Sequence, residues 1–319
     1  MTHKGFVDIQ VNGYLGVDFS SPALQPDDIC RVTGALVEAG TVGYCATLIT
    51  SPAEVYDRNL PLIAKAMDVP GVRGHLMGIH LEGPFLSPEE GARGAHQARW
   101  MRRPDRDYFR ELQDRAQGEI KMLTLAPELE GAIDLIDHVR KKYDTSISLG
   151  HHLAGRNIIR DAVAAGASLI THLGNGCPNL IHRHANPILH QLATDRLCAG
   201  LITDGQHIPE DFIRVVFKCK GVDGVYVVSD SAPIAGLQPG IYTNMGIQVR
   251  LTLSGRIEQL DAPYLAGSAC TMAQCMRFLR SLQFLSEDEL WQVGYENPLR
   301  ILGRPEACLA ITDLPDFHW

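Results

Sequence analysis

Short apolar runs alternate with amphipathic runs along most of the chain, and this alternation predicts a repeated strand–helix unit. The apolar runs are rich in β-branched residues, whereas the segments between them carry apolar side chains at helical spacing. The predicted strands are 5–11, 41–50, 72–83, 119–128, 146–152, 168–173, 198–205 and 224–230. The predicted helices are 27–40, 52–67, 130–142, 155–166, 187–195 and 209–219, and a polar loop is predicted over 84–104.

This count of strands predicts the fold class, an α/β (β/α)8 barrel of the TIM type, which needs eight parallel strands. The alternative is an open doubly wound sheet, which usually carries a glycine-rich phosphate-binding turn after its first strand. No GxGxxG sequence follows 5–11, so we favour the barrel. Alternation about Ser254-Gly255 predicts a β-hairpin insertion near 240–262, and two further helices are predicted within 267–303, at about 267–283 and 286–302. We predict a single catalytic domain, 1–319.

Four predicted strands end in a group that can bind a metal or move a proton. They end at Glu82, His151, His172 and Asp230, and the carboxyl ends of barrel strands meet at one face. A single histidine at a strand end is more often a hydrogen-bonded structural residue, but one carboxylate with two imidazoles is a common ligand set for a catalytic metal. We therefore predict that Glu82, His151 and His172 are metal ligands and that Asp230 transfers protons. His152 is expected to be a structural or supporting residue.

The first strand carries Gln10 and Asn12, which are neutral amides and weak metal ligands. We predict that they occupy a vestigial second metal position or support the first one. One divalent metal ion per chain is therefore expected. Zinc fits the ligand set best, although iron, cobalt or manganese can occupy similar sites.

Composition excludes some partners and leaves others open. The net charge of −8 argues against a nucleic acid partner, because phosphate backbones select for basic surfaces. A small anionic substrate can still meet a local cluster, for which 182–184 (His-Arg-His) is the obvious candidate. The eight cysteines include no CxxC pair and are expected to be buried free thiols. No apolar leader or membrane span is predicted, so the expected location is cytoplasmic.

Several motifs, in their order and spacing, make the chain similar to a known family. It resembles the N-acetylglucosamine-6-phosphate deacetylases of the amidohydrolase superfamily, over about residues 5–303. The motifs are HLEGP (80–84), GAH (94–96), TLAPE (124–128), GH (150–151), THLxN (171–175), DGxH (204–207), SDSAPIAG (229–236) and LAGSACTM (265–272).

The resemblance implies roles for further residues. His207 would polarise the amide carbonyl, and Asn175, Gly176 and His96 would line the sugar pocket. Arg183 would bind the phosphate with help from His182, and a residue of a neighbouring subunit can contribute in this family. A homodimer is therefore expected.

The function implied by the resemblance is hydrolysis of the N-acetyl amide of a phosphorylated amino sugar. One alternative is an amidohydrolase for a different N-acyl substrate, and another is a non-catalytic barrel that binds a sugar phosphate. The chain departs from the family in its expected domain content and in residues near the substrate. The small β-sandwich of the family is expected to be absent, and His152 and Gly176-Cys177 replace a small hydroxyl residue and Ala-Met.

Overall fold

The computed structural model describes residues 3–244, 246–262, 264–312 and 314–318, and its centre is a parallel β-sheet. The strands in chain order are β1 (Phe6–Val11), β2 (Gly13–Tyr14), β3 (Val17–Asp18), β4 (Thr41–Ile49), β5 (Leu76–Glu82), β6 (Ile120–Leu125), β7 (Ser146–Leu149), β8 (Leu169–Ile170), β9 (Cys198–Ile202) and β10 (Val225–Val228). Strands β2 and β3 pair with each other, and the other eight form the central sheet in chain order.

The two edges of this sheet meet, which closes the barrel. Val11 at the end of β1 forms a parallel bridge with Ser231, three residues after β10. The backbone N–H of Asn12 also donates to the carbonyl of Ser231 at 3.0 Å. Strands β1, β4 and β5 are buried along their whole length, as expected for parallel strands covered by helices. The predicted (β/α)8 barrel is confirmed.

The helices cover the outside of the barrel. They are α1 (Pro26–Glu38), α2 (Ala53–Ala66), α3 (Arg106–Arg115), α4 (Ala132–Lys142), α5 (Arg156–Ala165), α6 (Pro187–Leu192), α7 (Glu210–Lys220), α8 (Met272–Ser281), α9 (Glu287–Trp291) and α10 (Asn297–Ile301). In α1, for example, Ile29, Val32 and Leu36 face the sheet, and Asp28 caps the backbone N–H of Gln25. The described residues contain no helix long and apolar enough to cross a bilayer.

The structure differs from the sequence predictions in several elements, among them the short strands β2 and β3, which were not predicted. Helix α3 was not predicted, because only Phe109, Leu112 and Gln113 of this polar segment are buried. The single helix predicted over 286–302 is α9 and α10 joined by a π-helical turn at Gln292–Glu296. The region of the hairpin holds three antiparallel strands, β11 (Gly240–Asn244), β12 (Ile247–Leu251) and β13 (Ile257–Gln259), and the turn about Ser254-Gly255 joins the last two.

All eight cysteines are free thiols, as predicted, but only Cys45 and Cys275 are buried as predicted, and three others are only partly buried. Cys30, Cys219 and Cys308 are exposed. In α1 the buried positions are 29, 32, 33 and 36, so residue 30 faces solvent. A cysteine in an apolar run is therefore not enough to indicate burial in a helix that has one buried face.

Candidate active site

Three of the predicted site residues share an uncommon backbone conformation at the mouth of the barrel. His151, His172 and Asp230 follow β7, β8 and β10, and their φ angles are 52°, 28° and 50°. Positive φ is uncommon for residues other than glycine and tends to occur at functional sites. The chain turns sharply at each position, and all three residues line one cavity.

Glu82, His151 and His172 bring three ligand atoms together. Nε2 of His151 lies 3.0 Å from Nε2 of His172, and Oε1 of Glu82 lies 3.1 Å from His172 Nε2 and 3.3 Å from His151 Nε2. Atoms bound tetrahedrally to one zinc ion at its usual bond length are about 3.4 Å apart. The separations found here are close to that spacing, so the three residues fit a single metal ion.

The tautomer of His151 suits this purpose. Its Nδ1 lies 2.8 Å from the carbonyl oxygen of Ala92, which can only accept a hydrogen bond. Nδ1 therefore carries the proton, and in the neutral ring Nε2 keeps its lone pair for a cation. A backbone carbonyl of the loop after β5 thus orients the imidazole ring that follows β7.

The charges at this cluster reinforce one another. Burial raises the pKa of Glu82, but the adjacent imidazole rings of His151 and His172 outweigh burial and hold the pKa of Glu82 well below its usual range. Burial lowers the pKa of His172, but its hydrogen bond to Glu82 outweighs this and raises the pKa. His172 Nδ1 is buried without a hydrogen-bond partner among the described residues. The buried carboxylate thus favours positive charge where the rings meet.

A second possible set of metal ligands contains His96 in place of His172. In this set, the three ligand atoms, one each from Glu82, His96 and His151, lie within 4.8 Å of one another. The group that contains His172 is tighter, with separations up to 3.3 Å. His96 Nδ1 is also occupied by the hydroxyl of Thr50 at 3.0 Å. Burial, followed by the charge of His151, lowers the pKa of His96 to about 3, so its ring is neutral. The distances therefore favour His172 as the third ligand.

Gln10 and Asn12 hold the two carboxylates of the site. Nε2 of Gln10 donates to Oε1 of Glu82 at 3.0 Å and to Oδ1 of Asp230 at 3.1 Å. Nδ2 of Asn12 donates to the same Oδ1 at 2.7 Å. Burial, together with the negative charge of Glu82, raises the pKa of Asp230 to about 6. The amides engage Oδ1, which leaves Oδ2 of Asp230 for chemistry.

His207 approaches the cavity from the turn after β9. Its Nδ1 lies 2.7 Å from Oδ2 of Asp204, and both side chains are almost completely buried. His207 lines the same cavity as Asp230. Because Nδ1 meets Asp204, Nε2 is the nitrogen left for a ligand.

The cavity itself has a volume of about 240 Å³ and a largely polar floor. Asn175, Gly176 and His96, which the resemblance assigns to the sugar pocket, line it. Cys177 and Tyr264 also line it, although sequence reasoning assigned them no role. Position 177 could have been identified from its place next to Asn175-Gly176, whereas Tyr264 reaches the cavity through the fold of the segment after β13.

Arg183 and His182 lie elsewhere in this chain. Both are exposed in the loop before α6, and neither belongs to the lining of the cavity. Nδ1 of His182 accepts backbone N–H groups of its own loop at 2.9 and 3.2 Å. Their role in phosphate binding stays a prediction.

His152 faces away from the metal cluster. It is buried, its Nε2 lies 2.6 Å from Nε2 of Gln191, and its Nδ1 accepts the backbone N–H of Ala154 at 3.1 Å. Burial lowers its pKa to about 3, so the ring is neutral. These contacts are those of a residue that fixes the start of the following loop.

The arrangement as a whole suits hydrolysis of a polar bond in an uncharged group. One side of the cavity has a cluster that can hold a cation, and the other has a carboxylate with one free oxygen. His207 adds a ring nitrogen on the cavity wall. A cluster that can hold a cation, a possible proton acceptor and a further ring nitrogen are thus available within one cavity.

Comparisons of sequence give a consistent group of relatives, although no protein-family profile matches the chain. It is 35% identical over 308 residues to the N-acetylglucosamine-6-phosphate deacetylase of Bacillus subtilis, a match that covers 94% of this chain and 74% of that protein. The deacetylase of the same name from Homo sapiens is 32% identical over 309 residues, with the same coverage.

Solved structures agree with these relatives. A variant of N-acetyl-D-glucosamine-6-phosphate deacetylase from Mycobacterium smegmatis, in complex with N-acetyl-D-glucosamine-6-phosphate, superimposes with a TM-score of 0.86 and 28% identity. The alignment covers 95% of this chain and 78% of that one. N-acetylglucosamine-6-phosphate deacetylase from Thermotoga maritima gives a TM-score of 0.83 at 29% identity, covering 94% of this chain and 78% of that one.

Proposed function

Because this chain belongs to the N-acetylglucosamine-6-phosphate deacetylase family, we propose that it hydrolyses the N-acetyl amide of N-acetylglucosamine 6-phosphate. The products are acetate and glucosamine 6-phosphate. The observation that carries the proposal is the meeting of Glu82, His151, His172 and Asp230 in one cavity. A barrel that only binds a sugar phosphate has no use for a buried carboxylate opposite a metal-binding cluster.

Glu82, His151 and His172 are the residues that would hold a divalent ion, since their ligand atoms have the required spacing. When bound, such an ion supplies Lewis acidity and lowers the pKa of water to about 7. We assign one ion per chain, because Gln10 and Asn12 use their amide groups as hydrogen-bond donors. Zinc suits two imidazoles and a carboxylate best.

Asp230 acts as the general base and then as the general acid. Its Oδ2 takes a proton from the attacking water and later gives it to the amine nitrogen as the C–N bond of the amide breaks. Gln10 and Asn12 keep Oδ1 fixed, so the carboxylate cannot rotate away from the cavity. His207 meets the carbonyl oxygen of the amide and stabilises the negative charge that develops there.

Substrate recognition involves Asn175, Gly176 and His96 around the sugar ring. The phosphate is assigned to Arg183 with help from His182, because a guanidinium can donate two parallel hydrogen bonds to a phosphate. Both residues are exposed in this chain, so their role fits a homodimer in which the neighbouring subunit's loop contributes to phosphate binding. A cytoplasmic location agrees with eight free cysteines.

One observation favours a second candidate, an N-acyl substrate without a phosphate. No lysine or arginine is found among the described residues that line the cavity. An unphosphorylated N-acetylated sugar would need no positively charged side chain there.

A test of both candidates is acetate release from N-acetylglucosamine with and without the 6-phosphate, using protein loaded with zinc. We expect a preference for the phosphorylated sugar, and Arg183→Ala should raise its KM on the order of 10-fold or more while sparing the unphosphorylated sugar. Arg160→Ala, an exposed arginine of α5, is the matched control. Equal turnover of both sugars would favour the second candidate, and binding without acetate release would leave only a sugar-binding barrel.

A further inference from the structure

A second cavity adjoins the one that holds the metal-binding cluster. It has a volume of about 460 Å³ and lies between the loop after β5 and the β11–β13 sheet. Three of the residues that line both cavities are glycine or alanine, so little side-chain bulk stands between the two spaces. The residues shared by both linings are Gly91, Gly94, Ala95, His96 and Tyr264.

The shared wall stands directly beside a predicted metal ligand. A Cβ atom added to Gly94 would lie 3.2 Å from Cε1 of His151. The ring centres of His96 and His151 are 4.5 Å apart. Any part of a substrate that enters the second cavity must therefore be attached close to the group that lies at the metal cluster.

The two cavities carry different charges. Among the described residues, the lining of the second cavity holds two arginines, Arg93 and Arg99, and one carboxylate, Glu90. The lining of the first cavity holds the carboxylates of Glu82 and Asp230 and, among its described residues, no lysine or arginine. The side chains with a permanent positive charge beside the metal cluster therefore lie in the second cavity.

Arg93 is held in place by its backbone, while its side chain is available to a ligand. Its N–H donates to the carbonyl of Glu89 at 3.0 Å, and its own carbonyl accepts the N–H of His96 at 3.0 Å. The side chain is half-buried and forms no ion pair with a carboxylate of the described residues. Arg103 of the same loop differs in this respect, because it pairs with Glu130 at 2.8 Å.

Arg99 adds a second guanidinium at the outer rim of this cavity. It is exposed, and its guanidinium carbon lies 5.1 Å from the centre of the Trp100 ring, in cation–π contact. A guanidinium can donate two parallel hydrogen bonds to the oxygens of one acidic group. The pair therefore suits a carboxylate or a phosphate better than a neutral hydroxyl.

We propose that the second cavity is a subsite for an acidic substituent of the substrate, a carboxylate or phosphate on the ring carbon next to the acetamido carbon. This substrate class rests on the proposed function. In an N-acetylated amino sugar the acetamido group is on C2, so a substituent on C1 or C3 can pass the shared wall while the amide lies at the metal cluster. A phosphate on C6 is on the far side of the ring and does not occupy this subsite. Arg93 and Arg99 are thus specificity-determining residues.

The first test compares acidic and neutral ligands by calorimetry on the zinc-loaded wild-type protein. The neutral reference is N-acetylglucosamine. The acidic ligands are N-acetylglucosamine 1-phosphate and N-acetylmuramic acid, which carries a carboxylate on an ether at C3. We expect at least one acidic ligand to bind on the order of 10-fold more tightly than the reference, and the tighter one identifies the ring carbon. Equal or weaker binding of both acidic ligands would overturn the proposal.

The second test assigns this preference to the arginines. Arg93→Ala should bind the tighter acidic ligand no better than N-acetylglucosamine. Arg99→Ala should lose part of the preference, about threefold, because an exposed guanidinium is screened by water. The matched control is Arg103→Ala, which removes the same charge from the same loop but lines neither cavity. It should keep the full preference.

The outcomes separate the subsite from the proposed function. A preference that survives in both Arg93→Ala and Arg99→Ala would place the acidic group elsewhere and overturn the proposal. If Arg93→Ala does not fold, the exposed Arg99→Ala variant decides. An equal loss in Arg103→Ala would show an effect of net charge and also overturn it. Calorimetry records binding as a brief pulse and hydrolysis as continuing heat. Absence of hydrolysis of N-acetylglucosamine 6-phosphate would therefore count against the proposed function alone.

Discussion

His151, His172 and Asp230 show what individual residues contribute to this site. Each has a positive φ, a conformation that costs a non-glycine residue of order 1–3 kcal/mol in free energy of folding. The rest of the barrel compensates for that cost. In return the three side chains are turned into one cavity before a substrate arrives, so little reorganisation is needed during the reaction.

The two possible sets of metal ligands, one with His172 and one with His96, lead to opposite predictions for two histidine variants. His172→Ala removes a ring nitrogen 3.1 Å from Glu82 Oε1, so we expect it to lose its tightly bound metal. His96→Ala should keep the metal and mainly raise KM, because Nδ1 of His96 is engaged by Thr50. Elemental analysis of both purified variants checks this. Metal retained by the first variant and lost by the second would identify His96 as the ligand.

The proton-transfer role of Asp230 can be tested without changing the backbone. Asn tolerates a positive φ better than most residues, so Asp230→Asn should fold and keep its metal. It has lost the proton acceptor, and we expect kcat to fall on the order of 10²-fold or more. Steady-state kinetics with parallel metal analysis checks this. Near-native kcat would make Asp230 a structural residue.

At the scale of elements, the start of α8 holds the segment that closes one side of the cavity. Thr271 caps α8 by accepting the backbone N–H of Gln274, whose side chain in turn accepts the N–H of Thr271. Just before the cap, Ser268 joins the end of β10 through its backbone, since Ala232 N–H donates to the Ser268 carbonyl at 2.8 Å. A helix cap and a strand end therefore share one short connection.

This connection predicts a measurable loss of stability in Thr271→Ala. The variant leaves the backbone N–H of Gln274 without its cap, and we expect the free energy of unfolding to fall by about 1 kcal/mol. Urea unfolding followed by circular dichroism measures the change. The comparison variant is Ser286→Ala, which removes the same capping arrangement from α9 at an exposed position and should cost no more. An unchanged midpoint for Thr271→Ala would show that the cap does not contribute.

At the scale of the whole molecule, a buried acid joins the first and last strands of the barrel. Asp8 of β1 accepts the backbone N–H of Ser229 at 3.2 Å and also the hydroxyl of Ser229, next to the end of β10. The residue is only 1% exposed. Burial raises its pKa from 3.8 to about 7, although the hydrogen bonds from Ser229 oppose the shift.

This shift predicts a pH dependence of stability that belongs to the barrel as a whole. A raised folded-state pKa means that the folded protein holds the Asp8 proton more tightly than the unfolded chain does. The contribution of Asp8 to stability is therefore greatest at low pH and is lost as the pH rises from 3.8 to about 7, by roughly 1.4 kcal/mol per pH unit at most. Asp8→Asn should remove this part of the slope, as urea unfolding at several pH values would show. An unchanged slope would mean that Asp8 is ionised throughout.

Sequence periodicity was enough to predict the barrel and the order of its strands. Runs of β-branched residues buried on both faces are characteristic of parallel strands, and the eight strands occur in the predicted order. Because parallel strands in a closed barrel end at the same face, Glu82, His151, His172 and Asp230 could be grouped before any coordinates were known. Helix α3 was missed because its apolar stripe consists of little more than Phe109 and Leu112.

The sequence by itself thus determined the fold and the residue types at the strand ends, since both follow from local patterns and from strand order. Only the tertiary structure decided which atoms meet. Gln10 bridges Glu82 and Asp230, which are 148 positions apart in the chain, and Ala92 sets the tautomer of His151. Such contacts depend on side-chain rotamers and loop paths, which respond to the packing of the whole barrel and leave no periodic signal along the chain.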